Sequence, residues 1–248
     1  MSAEVIEVAT DAPARAAFTT RRGGVSDGRF ASFNLGSDRD DPDDHVRRNR
    51  AALCAELELD ADVVEANRQV HGAHVRQVGE PTRRGLFTGA LRGWPDGDAL
   101  VTREPGTGLL VLGADCLPVL MWRRDEPAVA AAHAGWRGLV AGVVEAAARS
   151  LGDTSRVGAA IGPGIGPCCY PVSSEVRDAF ARRFGGAVLA GEAVDLAAAA
   201  RTALAGAGVP PEAIQGVDAC TSCEPERFFS YRRDGVCGRQ AGIVWAVA

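Results

Sequence analysis

The chain of 248 residues contains no lysine: its Lys+Arg total of 27 is entirely arginine. That absence removes Schiff-base chemistry, cofactors tethered to a lysine amine, and the phosphate-binding lysine of a P-loop. Histidine is nearly as scarce, with only 4 residues, too few for the several imidazole-ligated coppers of a multicopper oxidase. Long apolar runs are also missing. Asp115 breaks the stretch from Leu109 to Trp122, and Arg137 breaks the stretch from Ala128 to Ala148. Neither reaches the roughly 18–20 apolar residues of a membrane span. The opening Met1-Ser2-Ala3-Glu4-Val5 lacks the basic and apolar regions of a signal peptide. The net charge is −5 with both signs interspersed, without the basic excess of a nucleic-acid binder. Seven cysteines, an odd number in a chain with no export signal, argue against a disulfide framework. We therefore expect a cytoplasmic, reduced, monomeric protein that engages neither nucleic acid nor membrane.

What is present reads as alternating strands and helices. Ala16 to Thr20 is strand-like and leads into a Gly-rich loop from Arg21 to Gly28. Asp41-Pro42-Asp43-Asp44 marks a helix start with Asp41 as cap, and Val46, Leu53 and Leu57 supply its inner stripe. Pro81 to Asp98, rich in Gly and Arg, reads as a surface excursion. Leu109 to Leu112, Leu117 to Trp122 and Ala128 to Ala132 read as buried strands, followed by one helix from Trp136 to Leu151. A strand from Val157 to Ile161, helices from Ser173 to Phe184 and Leu196 to Ala205, and a last strand from Gly242 to Val247 complete the pattern. Hairpin-like strand pairs without a sustained strand–helix period predict an α+β fold of one domain over residues 1–248, without internal repeats.

Three residues stand in settings where chemistry is built. His71 lies in Gln69-Val70-His71-Gly72, His133 between a buried strand and a helix start, and Cys116 in Ala114-Asp115-Cys116-Leu117-Pro118. A histidine at a strand end is ordinarily structural, and a buried cysteine is ordinarily an inert small hydrophobe. The three are far apart in sequence, so only the tertiary fold would unite them. Cys220-Thr221-Ser222-Cys223 has the spacing of half a zinc ribbon, but no second C-x-x-C exists. A four-ligand structural site is therefore not expected from it and Cys168-Cys169, and Cys54 reads as core.

The runs Thr20-Arg21-Arg22-Gly23-Gly24-Val25-Ser26, Ser32-Phe33-Asn34-Leu35-Gly36, Gln69-Val70-His71-Gly72, Ala114-Asp115-Cys116-Leu117-Pro118-Val119 and His133-Ala134-Gly135-Trp136-Arg137-Gly138 occur in this order. Ile161-Gly162-Pro163, Cys168-Cys169-Tyr170, Cys220-Thr221-Ser222-Cys223 and Phe229-Ser230-Tyr231-Arg232-Arg233-Asp234 follow. Over nearly its whole length the chain resembles the YfiH family, also called the laccase-domain or polyphenol-oxidase family and described as purine nucleoside phosphorylases. The resemblance implies mixed β-sheets sandwiched between helix layers. It also implies a zinc-binding and catalytic trio at His71, Cys116 and His133, with copper a possible alternative ion. Two imidazoles and a thiolate suit Zn²⁺, and three protein ligands leave a fourth position open.

The implied activity is phosphorolysis of adenosine, inosine and methylthioadenosine, with adenosine deamination beside it. Its small-molecule partners are a nucleoside and phosphate. Without lysine the anion site must use arginine or backbone amides; Arg137, Arg50, Arg232, Arg21 and Arg22 are candidates, and Asn34 is a candidate ribose or phosphate contact. Three alternatives stay open at this point: a Cys–His hydrolase acting on cell-wall precursors with Cys116 as nucleophile, a weak copper-dependent polyphenol oxidase, and a non-enzymatic binding protein in which the zinc is structural.

Overall fold

Short apolar runs bounded by glycine and polar turns form the strands. The computed structural model describes residues 3–37, 40–80, 86–90 and 92–247. In chain order the strands are β1 (Val5–Val8), β2 (Ala14–Thr19), β3 (Val64–Glu65), β4 (Val75–Val78), β5 (Ala99–Thr102), β6 (Gly108–Gly113) and β7 (Leu117–Arg123). They continue as β8 (Val129–Ala134), β9 (Val157–Ile161), β10 (Leu189–Ala190), β11 (Ala193–Val194), β12 (Ile214–Gly216) and β13 (Gln240–Ala246). One sheet has the order β1-β2-β13-β6-β3 and the other β12-β9-β7-β8-β5-β4, while β10 and β11 pair alone. Both large sheets are mixed: most neighbours are antiparallel, but β3–β6, β4–β5 and β12–β9 are parallel. The helices are α1 (Asp43–Leu57), α2 (Trp136–Ala141), α3 (Val143–Ser150), α4 (Ser174–Phe184), α5 (Leu196–Ala207) and the short α6 (Tyr231–Asp234).

The alternation of side chains along a strand decides the layering. On β7, Leu120 and Trp122 join Phe18, Leu109, Val111 and Val244 between the two sheets. Val119 and Met121 face the other way, onto Leu139, Val144, Ala147 and Phe180 of the helices. On β6, Leu110 turns outward with Ile243 and Trp245 to meet Leu53, Cys54 and Leu57 of α1. Because both faces of these strands are covered, they read as continuous apolar runs. The result is the α+β fold that the strand and helix pattern predicts, with the two sheets between helix layers as the resemblance implies. A Cβ at Gly158 would stand 2.5 Å from Trp122 Nε1, so this large indole lies directly on a glycine.

Four local expectations are corrected. Asp41 does not cap α1; it is buried and accepts hydrogen bonds from Ser26 Oγ at 2.8 Å and Asn34 Nδ2 at 2.7 Å. The single helix expected from Trp136 to Leu151 is two, because Gly142 sits at φ 89° and breaks it. His133 lies inside β8 and not after it. Part of the expected surface excursion is core: Phe87 is 1% and Asp98 0% exposed. Positions 81–85 and 91 lie outside the described residues.

Candidate metal centre and active site

The chain leaves one sheet at the end of β6 and enters the other at the start of β7, so the turn Ala114–Cys116 crosses between sheets. Asp115 takes a left-handed φ of 93° there. Its carboxylate accepts from Thr221 Oγ1 and from the Arg232 backbone N–H, both at 2.7 Å. Its carbonyl accepts from the Ile165 N–H at 2.9 Å. These bonds hold a strained residue in place and fix Cys116 beside it.

His133 stands opposite Pro118 in the β7–β8 register and is 3% exposed. Its backbone N–H donates to the Asp98 carbonyl at 2.7 Å, and its Nδ1 lies 2.9 Å from Asp98 Oδ1. His71 belongs to the loop between β3 and β4, with a left-handed φ of 61°. The backbone N–H groups of Val70, His71 and Gly72 all donate to the Asp98 carboxylate, at 3.2, 2.8 and 2.6 Å. One buried carboxylate therefore positions both histidines. The two imidazoles meet edge to face, 4.9 Å between centroids at 79°. The ligand atoms of His71, Cys116 and His133 lie within 4.8 Å of one another.

The electrostatics follow from this packing. Burial raises the Asp98 carboxyl, but hydrogen bonds from His133, Gly72 and His71 outweigh it and keep the group below its ordinary value. Burial also opposes ionisation of the Cys116 thiol, yet the facing His133 and His71 bring it down to about 6. For His133 burial again opposes the charge, and Cys116 with Asp98 overcomes it, pushing the imidazole up to about 9. Both shifts run toward an ionised Cys116 thiol facing a charged His133 imidazole.

The residues present fit a divalent ion. Two imidazoles and a thiolate are a borderline-soft donor set suited to zinc. With His133 Nδ1 engaged by Asp98, Nε2 is left for the cluster, the usual support of a metal-binding histidine. A Cβ at Gly135 would lie 2.8 Å from Cys116 Sγ and 3.2 Å from His71 Cδ2, so a missing side chain keeps the centre of the trio clear.

The trio lies on a cavity of about 830 Å³, within the range of small-molecule sites. Arg137 lines it, exposed, with its guanidinium 4.5 Å from the Trp136 ring centroid. Arg232 also lines it, 4.7 Å from the Tyr170 ring centroid and donating to the Pro171 carbonyl at 2.9 Å. Neither takes part in an ion pair among the described residues. Arg50 reaches the cavity but is 3% exposed, donates to the Leu35 and Phe87 carbonyls, and is lowered to about 10 by burial. The Asn34 amide borders the cavity yet is spent on Gly36, Asp41 and Arg239. Arg21 and Arg22 lie apart from the cavity lining and bind the carbonyls of Ala31, Pro225 and Glu226.

Asp98 is the functional residue the sequence reading missed. Its signal was an acid directly preceding the apolar strand Ala99–Thr102, hidden by the polar composition upstream. No four-ligand site is expected from the cysteine spacing, yet Cys168, Cys169, Cys220 and Cys223 gather in one group.

The chain resembles known proteins over nearly its whole length. The family described as "Multi-copper polyphenol oxidoreductase laccase" matches residues 15–247. The chain belongs to this YfiH, or laccase-domain, family. It is 41% identical over 236 residues to the purine nucleoside phosphorylase YfiH of Escherichia coli, covering 92% of each chain. It is 41% identical over 245 residues to a purine nucleoside phosphorylase of Pseudomonas aeruginosa, covering 94% and 95%. The crystal structure of YlmD from Geobacillus stearothermophilus superimposes with a TM-score of 0.87 at 34% identity, covering 97% and 94%. The described residues include no helix long and apolar enough to cross a membrane.

Proposed function

We propose that the chain is a zinc-dependent purine nucleoside phosphorylase acting on adenosine, inosine and methylthioadenosine, with adenosine deaminase activity at the same site. The observation that carries this reading is the meeting of His71, Cys116 and His133 on a cavity that also presents arginines outside any described ion pair. The names of the E. coli and P. aeruginosa relatives support the phosphorolytic class. Held by the two imidazoles and the thiolate, zinc would supply Lewis acidity at an open position.

The chain's own groups do the rest. Asp98 keeps His133 in one tautomer and orientation by accepting from Nδ1. Trp94, Trp136 and Tyr170 border the cavity with aromatic surface suited to a purine ring. Arg137 and Arg232 offer planar guanidinium forks to phosphate, the role that lysine is absent to play. In phosphorolysis a phosphate oxygen bonds to C1′ as the C1′–N9 bond breaks. The electron pair leaves with the purine, which takes up a proton. Deamination replaces the 6-amino group by water-derived oxygen, releases ammonia and needs no phosphate.

Product analysis of adenosine turnover tests the reading. Adenine and ribose 1-phosphate formed only with phosphate, and inosine formed without it, are expected. No turnover of any of the three nucleosides would overturn it. The low-lying Cys116 thiol beside His133 favours a second reading, a Cys–His hydrolase of amide bonds in cell-wall precursors. That reading requires a covalent acyl adduct on Cys116, visible by mass spectrometry. Chelation that stops turnover with no adduct favours the metal. Copper on the same donors would be the route to weak phenol oxidation, but only two histidines meet there among the described residues.

A further inference from the structure

We infer that Cys168, Cys169, Cys220 and Cys223 form a second, closed metal site that binds zinc through four thiolates. The four sulfurs come from two loops far apart in sequence and all lie within 4.8 Å of one another. Cys223 Sγ is 3.5 Å from Cys168 Sγ and 3.4 Å from Cys169 Sγ. Zinc–sulfur bonds of about 2.3 Å place tetrahedral ligands about 3.8 Å apart, close to this spacing. A disulfide needs sulfurs about 2.05 Å apart, and all seven cysteines are free thiols.

The backbone is arranged for anionic sulfur. The Gly166 N–H donates to Cys220 Sγ at 3.2 Å. The C-x-x-C turn closes on itself through Cys223 N–H to the Cys220 carbonyl at 3.1 Å. Cys168 and Cys169 ride on the one-turn helix Pro167–Cys169, tied by the Cys169 N–H to the Gly166 carbonyl at 3.0 Å. A Cβ at Gly166 would stand 3.3 Å from Cys168 Sγ and from Cys220 Cβ, so a glycine admits the close approach of the two loops. The two loops also pair at Gly164 and Cys220. Arg233, paired with Asp234, donates to the Thr221 and Ser222 carbonyls at 2.8 and 3.2 Å and so braces the C-x-x-C turn.

The position gives the site a purpose. Thr221, between the two cysteines of the turn, donates to Asp115 at the sheet crossing. Tyr170, next to Cys169, lines the cavity with Arg232. Zinc there would lock two cavity walls to the turn that carries Cys116. Because the four sulfurs exclude the trio, the inference does not depend on the proposed function.

Elemental analysis of purified Cys116→Ser protein, which removes a trio ligand, is the test. It is expected to retain close to one zinc per chain, released on titration with a mercurial reagent. The Cys116→Ser/Cys168→Ser/Cys223→Ser variant should lose that zinc. Should that variant fail to fold, cadmium loading of the wild-type protein gives the same answer through the ultraviolet thiolate-to-cadmium band. Four thiolates beyond Cys116 are expected to contribute. Metal-free Cys116→Ser protein whose mass is short by two hydrogens per disulfide would overturn the inference. So would iron in place of zinc, or cadmium absorption from Cys116 alone.

Discussion

The molecule gathers cysteine in two places, and the two are built differently. Around Cys116 the partners are imidazoles, one on a strand and one on a loop, both held by the buried Asp98 carboxylate, and the group opens on a cavity. Around Cys220 the partners are sulfurs on two loops, and the Gly166 backbone N–H reaches the Cys220 sulfur. Mixed nitrogen and sulfur donors with an open position make a reactive centre, and four sulfurs close one. Donor type and rigidity, more than cysteine itself, separate chemistry from bracing.

The largest effect that would sharpen this contrast is at Cys116. Cys116→Ala should lower kcat/KM by more than the about 10–100-fold that loss of a supporting partner causes, with little change in Tm. Cys168→Ser should leave most of the activity and lower Tm. Equal losses in activity would erase the distinction between the two groups.

Asp98→Asn comes next. Its carboxylate serves His133 Nδ1 and three backbone N–H groups, so metal affinity or activity should fall about 10–100-fold. Stability should fall by about 1–3 kcal/mol in a denaturant titration. Wild-type kinetics in this variant would mean that the carboxylate braces the loop and does not tune the site.

Arg137→Lys should act more narrowly. Losing one charged hydrogen bond, about 1.5 kcal/mol, raises the phosphate KM about tenfold. Deamination and zinc content should be unchanged. Equal loss in both reactions would make Arg137 a structural residue.

The smallest expected effect concerns pH. In metal-free protein, the alkylation rate of Cys116 should rise through about pH 6 and level off, because the deprotonated thiol is the nucleophile and His133 and His71 lower its pKa. The buried Cys54, pushed up to about 12 by burial, should not react over the same range. Peptide-level mass spectrometry reads both. A midpoint for Cys116 near 9 would remove the thiolate–imidazolium pair from the account.

Much of this was legible in the sequence, for definable reasons. Leu117 to Trp122 and Ala128 to Ala132 announced buried strands because their continuous apolar runs demand cover on both faces. The motifs around His71, Cys116 and His133 located the trio, which the fold brings together. Asp98 was lost because composition describes a segment's average, whereas a single buried acid is defined by its partners. The helix break at Gly142 was lost because the apolar spacing runs through it and only its positive φ ends α2. The four-cysteine group escaped because spacing rules are local and its two halves meet through the Gly164–Cys220 pairing.

Zinc-edge anomalous diffraction from crystals grown with zinc and phosphate tests the central claim most directly. The account predicts a peak about 2.0–2.3 Å from His71 and His133 nitrogens and Cys116 Sγ, with its remaining position facing the cavity and the phosphate near Arg137. Zinc absent from those three atoms, with the crystals otherwise well loaded, would contradict it.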